Sequence, residues 1–314
     1  MNPIKIGTRG SKLALYQAHH VAGLLKEKGL ESEIVIIDTK GDKILDVSIS
    51  KIGSKGVFTE ELEDQLLAGT IDIAVHSAKD MQSTLPEGFE IIAFTDREKV
   101  NDIILSHQKV VDYQNSEVPL VLGTSSTRRI ATLKHFYPHI KTVEVRGNLQ
   151  TRIAKMESGV CNALLLAFAG AHRMEYDHLI RHELSLDEFI PAVGQGSIAV
   201  EASMDLDPTL RRTIEEAVHH LPTGYRLNAE RSYLKVLEGG CSIPVYALAT
   251  VDGETIRLRG GIVSLDGAQR IVHEVMGNCE DAVELGQQLA HKVLISGGQK
   301  ILFEIKKSLN KDED

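Results

Sequence analysis

Short β-type runs alternate with helical ones through the first two thirds of the chain, and no other feature restricts the architecture as much. "PIKIGT" leads into "SKLALYQAHHVAGLLKEKG", whose apolar residues recur at helical spacing before a Gly stop. "SEIVIIDT" reads as a strand, "FTEELEDQLLAGT" as a helix and "IDIAVHS" as a strand again. The pattern returns in "LVLGTSS" with "TRRIATLKHF", in "KTVEVRG" with "LQTRIAKMESG", and in "NALLLAFAG" with "AHRMEYDHLI". Such alternation predicts α/β architecture with mainly parallel sheets. Ligands of such sheets sit at the carboxyl ends of the strands, in the crevice where strand order reverses.

The pattern changes after about residue 217. "PVYALATVDGETIRLRGGIVSLDGAQRIVHEV" reads as strands joined by Asp-Gly turns, and the helix "CEDAVELGQQLAHKVLISGG" follows. This predicts a small α+β unit, with "KKSLNKDED" as a charged tail. A length of 314 residues allows two or three domains, and 42% hydrophobic with 25% charged residues is the composition of a soluble globular protein. No run approaches a membrane helix, and "MNPIKIGTRGSK" reaches a charged loop too early for a secretory signal. Three widely spaced cysteines (Cys161, Cys241 and Cys279) form neither a disulfide framework nor a zinc ribbon, so a cytoplasmic location is expected.

A net charge of −9 and only 4% aromatic residues, with no Trp, argue against nucleic-acid binding. That average leaves room for a local basic cleft. Strands that end in small or hydroxylated residues and a basic side chain recur as "GTRGS", "GTSSTRR", "RGNLQTR" and, more loosely, "AGAHR". Helix N-termini offer free N–H donors, and Arg grips carboxylates through a planar fork. Taken singly, each instance is adequately read as Ser or Thr capping a helix. Four at equivalent strand ends point to a ligand with many anionic groups. The absence of "GxxxxGK[ST]" and of "GxGxxG" after a strand favours carboxylates over phosphates.

"IDIAVHSAKDM" runs an apolar strand into Ser77, Lys79 and Asp80. Two readings of these residues stand level. One is a surface Lys–Asp turn of little energetic value. The other is a carboxylate placed for acid–base work or for stabilising a cation, beside a lysine that holds an anion. The pairs His178/His182 and His135/His139 lack any accompanying metal motif, read as solvated faces, and predict no catalytic metal. Cys161 precedes an apolar strand and reads as core, whereas Cys279 falls in a polar turn. Cys241, in "LEGGCSIPV", follows a helix and two glycines, and on local grounds a buried Cys behind a glycine C-cap is the simpler account. The same glycines would also leave room for a bulky group on the sulfur.

"AVHSAKDM", "GTSSTRR", "RGNLQTR", "PAVGQGSIAVE" and "LEGGCSIPV", in this order over most of the chain, resemble the porphobilinogen deaminase (hydroxymethylbilane synthase) family. The resemblance implies a transferase of tetrapyrrole (heme) biosynthesis that condenses four porphobilinogen units into hydroxymethylbilane and releases ammonia at each step. It implies a dipyrromethane cofactor linked by a thioether to Cys241, with Asp80 as the catalytic carboxylate. Ser77, Lys79, Ser126, Arg128, Arg129, Arg146 and Gln195 match cofactor-binding positions. Arg9, Ser11, Arg152 and Arg173 match substrate-binding positions, and Lys51 and Lys55 match a loop that closes over the site in that family. The implied fold is two α/β lobes like those of periplasmic binding proteins, plus a small α+β domain. The implied boundaries are 1–95 with 196–214 for domain 1, 96–195 for domain 2 and 217–314 for domain 3. A monomer without nucleic-acid or membrane partners is expected. Gln82, Thr127 and Asn162 depart from the commoner family wording. The competing readings are a non-catalytic binding protein built on the same two lobes and a transcriptional effector domain, the latter lacking a DNA-binding helix pair in this sequence.

Overall fold

The computed structural model describes residues 2–39, 59–240 and 242–311. The chain opens with β1 (Ile4–Thr8), α1 (Lys12–Glu27) and β2 (Ser32–Ile36), then α2 (Glu60–Leu67), β3 (Ile73–Ser77) and β4 (Phe89–Phe94). β5 (Asp102–Leu105), β6 (Val121–Gly123), α3 (Thr127–Phe136), β7 (Lys141–Val143), α4 (Leu149–Glu157), β8 (Ala163–Ala167), α5 (Phe168–Arg173) and β9 (Ile180–Glu183) follow. β10 (Ile198–Ser203), α6 (Pro208–Val218) and α7 (Leu221–Val236) lead to the meander β11 (Val245–Asp252), β12 (Thr255–Val263) and β13 (Arg270–Asn278). α8 (Ala282–Val293) and α9 (Gln299–Lys311) close the chain.

Two five-stranded sheets share one plan, with orders β2-β1-β3-β10-β4 and β7-β6-β8-β5-β9. In each, three neighbouring strands run parallel and the fourth is reversed. The reversed strands, β10 and β5, are the first ones formed after the chain crosses between the sheets. A crossing segment enters at the end where the parallel strands finish, so the strand it starts must run the other way. The sheets are therefore mixed where sequence periodicity predicts mainly parallel ones. The two crossings lie together: Glu98 N donates to Gly196 O at 3.1 Å, Thr95 N to Ile198 O at 3.2 Å, and Arg97 Nε to Gln195 O at 2.9 Å.

Local chemistry explains the elements. Ser11 caps α1 by accepting from Ala14 N, and Ala14, Gln17, Ala18, Val21 and Leu25 form its buried stripe against β1 and β3. Asp207 caps α6 through Thr209 N and Leu210 N, ahead of Pro208 at the first helical position. "AHRMEYDHLI" does not form the single helix that its pattern predicts. α5 starts earlier, at Phe168, and stops at Arg173, where Glu175 takes a left-handed φ of 62° and frees the chain for a short turn and β9. "KKSLNKDED" is likewise not all tail, because α9 continues through Lys311, with Ile301 and Ile305 buried in the third core.

The third unit is the Asp-Gly-turned meander β11-β12-β13, on which α7 and α8 pack around Tyr233, Leu258, Leu289 and Val293. Cys279 belongs to this core and is buried, in contrast to the polar-turn position read from sequence. Cys161 is buried in the second lobe. Domain 3 grips both lobes. Arg231 Nη2 donates to Gln82 O in the first at 2.8 Å. Against the second, Lys134 Nζ donates to Leu265 O at 2.9 Å, His135 Nδ1 meets Gly267 O at 2.7 Å, and Arg259 pairs with Asp187 at 2.7 Å.

No helix among the described residues is long and apolar enough to cross a membrane. His139 Nε2 meets Tyr113 O at 3.1 Å and His182 Nε2 meets Val111 O at 2.5 Å. With His135 on Gly267, three of the four paired histidines are therefore structural linkers and not merely solvated.

Candidate active site between the lobes

The parallel strands of both sheets end toward the crossings, and the loops there carry the basic side chains. β1 runs into Arg9 and Ser11, β6 into Ser126, Arg128 and Arg129, β7 into Arg146, and β8 through α5 to Arg173. Arg152 stands in the first turns of α4, which Asn148 caps by accepting from Thr151 N at 2.9 Å. Ser11 and Ser126 are caps as well, since Ser126 accepts from Arg129 N at 3.5 Å. The hydroxyls at these strand ends thus shape helix starts, while the cations beside them set the field.

β3 delivers the acidic group. Its last residue, Ser77, accepts a hydrogen bond from the buried Gln17 Nε2 at 2.8 Å, and a single 3₁₀ turn, Ala78–Asp80, leaves Lys79 and Asp80 exposed. This turn is held from below by Gly194, whose φ of 76° and missing side chain let it lie on the turn's backbone. A Cβ there would sit 2.8 Å from the Ala78 carbonyl carbon and 2.9 Å from Lys79 N. Lys79 keeps a solvent-facing surface but is crowded on its other sides by protein. That crowding, reinforced by Arg129 and Arg152, lowers its ammonium below the usual lysine range, with Asp80 opposing. Arg152 is lowered in the same way, first by burial and then by Arg129 and Arg146, again against Asp80. Asp80 and Lys79 of the first lobe therefore share one electrostatic field with Arg129, Arg146 and Arg152 of the second.

Arg128, Arg129 and Gln195 face inward. Asp102, fully buried, accepts from Arg128 Nη2 at 2.7 Å, Arg129 Nη2 at 2.7 Å, Arg129 Nε at 3.0 Å and Gln195 Nε2 at 3.0 Å. Burial opposes the charge of Asp102, but the two guanidinium groups outweigh it and hold the carboxyl well below the usual range. Gln195 Nε2 also reaches Val100 O at 2.7 Å, so it pins the crossing as well as Asp102. Arg128 Nε has no hydrogen-bond partner among the described residues. Arg173 Nη2 donates to Gly196 O at 2.8 Å, which places it against the crossing, and Arg146 pairs with Glu144. The concavities of about 430 and 470 Å³ lie away from Asp80, one beside Cys161 and one beside Arg173.

Lys51, Lys55 and Cys241 lie outside the described residues. The approach to Cys241 differs from the glycine cap read in sequence. α7 ends at Val236, and the left-handed residue after it is Glu238, with φ 48°, while Gly239 has no positive φ. Gly239 closes the helix end by donating to Leu234 O at 3.0 Å and packs tightly there, since a Cβ would lie 2.4 Å from Leu234 Cδ1 and 2.8 Å from Val245 Cγ2. Of the three positions that depart from the family wording, Thr127 opens α3. Asn162 Oδ1 accepts from Val121 N at 2.8 Å, and Gln82 offers its carbonyl to Arg231.

The most consequential group absent from the sequence reading is Glu230. It is fully buried on α7, accepts from Arg97 Nη1 at 2.5 Å and Nη2 at 3.1 Å, and also accepts from Gly194 N at 2.9 Å and Ala249 N at 2.8 Å. One carboxylate thereby ties the crossing, the glycine under the Asp80 turn and the third domain. Its only sequence signal is a charge on the inward face that α7 otherwise fills with Leu227 and Tyr233.

The model of the porphobilinogen deaminase dipyrromethane cofactor-binding domain matches residues 4–211, and that of the porphobilinogen deaminase C-terminal domain matches 225–294. The chain is 57% identical over 308 residues to a porphobilinogen deaminase of Cytophaga hutchinsonii, covering 98% of each chain. It is 52% identical over 304 residues to one of Desulfosudis oleivorans, covering 97% of this chain and 98% of that one. Among solved structures, the periplasmic VFT2 domain of Bordetella pertussis BvgS is similar over 68% of this chain and 86% of its own, at TM-score 0.42 and 16% identity. With both family models matched in order along it and relatives alike from end to end, the chain belongs to the porphobilinogen deaminase family.

Proposed function

We propose that the cleft between the two lobes condenses four porphobilinogen units into hydroxymethylbilane, releasing one ammonia at each step, on a dipyrromethane cofactor. The observation that carries this reading is the shared field of Asp80 and Lys79 with Arg129, Arg146 and Arg152. Cations crowded closely enough to depress one another suit a group bearing several carboxylates, which relieves their repulsion. The donor set therefore fits the cofactor that the family implies, whose pyrrole rings carry acetate and propionate arms. When bound, that group supplies the nucleophilic primer to which substrate is added.

Within this reading each side chain has a task. Lys79 and Arg146 hold carboxylate arms of cofactor and substrate in the shared cleft, and Arg9, Ser11, Arg152 and Arg173 serve the substrate side. Asp80 accepts pyrrole N–H groups and stabilises the positive charge that develops as the aminomethyl nitrogen of porphobilinogen departs as ammonia. Arg128, Arg129 and Gln195 act from the Asp102 cluster, with Arg129 lending its charge to the cleft and Ser126 starting its helix. Ser77 fixes the strand end that presents Lys79 and Asp80. Lys51 and Lys55 close the site, and Cys241 anchors the cofactor through its sulfur. Domains 1–95 with 196–214, 96–195 and 217–314 are the working units of a cytoplasmic monomer that needs no nucleic acid.

Intact mass and turnover test the proposal together. Protein from cells able to make porphobilinogen is expected to exceed its sequence mass by two pyrrole units and to colour with Ehrlich's reagent. Cys241→Ala is expected to lose the added mass, and Asp80→Ala to keep it while losing turnover. An unmodified protein that consumes porphobilinogen at full rate would overturn the assignment.

A further inference from the structure

A second group of ionisable side chains lies buried beneath the Asp80 turn, and the assigned chemistry does not use it. His76 on β3 and Glu201 on β10 project from the same face of the first sheet, because Ala199, two residues before Glu201, is the register partner of His76. His76 Nε2 lies 3.0 Å from Glu201 Oε2. Glu63 comes down onto this face from α2. All three are at least nine-tenths buried. Glu63 Oε1, His76 Nε2 and both oxygens of Glu201 nevertheless lack a well-directed hydrogen bond among the described residues. Around them stand the Thr59 hydroxyl and Glu60 on the α2 side and Arg231 from α7, which feels the charge of Glu201.

Two carboxyls and an imidazole in such a place are costly, and apolar residues of similar volume would hold a helix on a sheet more firmly. Orphaned polar atoms in a folded interior call for a cause. Position supplies one. His76 directly precedes Ser77, at the entrance to the Asp80 turn. Gln82, at its exit, gives its carbonyl to Arg231 and its Nε2 to Thr59 Oγ1, the latter at 3.5 Å. Both flanks of the turn are therefore tied to the same buried group.

We propose that Glu63, His76 and Glu201 are positioning residues for the Asp80 turn, a proton-sharing group that holds both of its ends in register for catalysis. The proposal rests on the reading of Asp80 as the catalytic carboxylate. Burial, and then the neighbouring charge of Glu201, raise the carboxyl of Glu63 above its usual range, which favours its protonated form beside the His76–Glu201 pair, while the Thr59 hydrogen bond pulls the other way.

Cofactor-loaded Glu63→Gln, Glu63→Leu and Glu201→Gln enzymes test this by kcat, KM for porphobilinogen, the pH dependence of kcat, thermal midpoint and cofactor mass. Glu201→Gln and Glu63→Leu are expected to lower kcat by about tenfold or more with KM and cofactor mass unchanged, and to shift the pH limb of kcat. Glu63→Gln, which keeps a donor of the same shape, is expected to restore most of what Glu63→Leu loses. Should Glu201→Gln fail to fold, the comparison of the two Glu63 variants decides. Variants that lose only thermal stability, with kcat and its pH profile as in the wild type, would overturn the proposal. An Asp80→Asn enzyme of full activity would overturn the reading beneath it, whatever the other variants do.

Discussion

Glu230 of the third domain meets Arg97 of the first crossing in a two-point ion pair, at 2.5 and 3.1 Å, with both side chains out of water. The same carboxylate accepts from Gly194 N and Ala249 N. Four donors therefore converge on one anion at the point where both lobes and the third domain meet. Removal of the carboxylate strands the Arg97 guanidinium, and breaking such a pair from one side costs about 3–5 kcal/mol. Glu230→Ala is expected to lower the denaturation midpoint accordingly and to loosen all three units at once. Hydrogen exchange should show lost protection at Gly194 and Ala249, where a purely local effect would spare one of them.

Asp102 predicts an acid-sensitive fold. Its carboxyl is held below the ordinary value by Arg128 and Arg129, so the unfolded chain takes up its proton first as pH falls. The stabilisation is complete above the unfolded pKa of about 3.9 and is lost as pH drops from there through the depressed folded value. Asp102→Asn is expected to destabilise the protein at neutral pH by about 3–5 kcal/mol and to flatten the acid limb of a stability–pH curve. An acid limb as steep as that of the wild type would refute this origin.

Lys79 predicts an alkaline limb in substrate binding. Its ammonium discharges at a lower pH than an ordinary lysine, because protein crowding and two arginines disfavour the charge. KM for porphobilinogen is therefore expected to rise with pH before the ordinary lysine value of about 10.4 is reached. Lys79→Arg should move that rise upward, and Lys79→Met should raise KM at all pH values. Titration of KM against pH in the three enzymes checks this.

Gly194→Ala combines a left-handed φ with a Cβ forced onto the Ala78–Lys79 backbone. The strain alone costs about 1–3 kcal/mol, and relief requires the Asp80 turn to move. The expected signature is a fall in kcat larger than the modest stability loss explains. Parallel kinetics and thermal denaturation separate the two effects.

Much of this was legible in the chain itself. The strands, the capped helices and the Asp-Gly meander follow from period, caps and turns, which are local properties carried within ten or twenty residues. The family motifs also placed Lys79 and Asp80 beside a set of arginines. Among the local readings that went astray, two show the physical reason most directly. "AHRMEYDHLI" has helical spacing, but Glu175 adopts a left-handed conformation that spacing does not reveal. Gly239 reads as the left-handed residue of a helix cap, but Glu238 takes that conformation, while Gly239 donates to Leu234 O and packs between Leu234 and Val245.

The tertiary structure alone decided what each charge is for. Arg128 and Arg129 stand at a strand end like Arg9 and Arg152, yet they turn inward because Asp102, 26 and 27 residues away, is buried beside them without another counter-charge. Glu201 and His76 sit in apolar strands and Glu230 stands between Arg226 and Arg231 on its own helix, yet the partners that all three meet come from other strands and other domains. The sequence by itself determined the elements, because backbone preference and amphipathic period act over short range. The pairing of ions, and with it the division between cleft and scaffold, was decided by folding, because burial and Coulomb energy depend on which distant groups arrive at the same place.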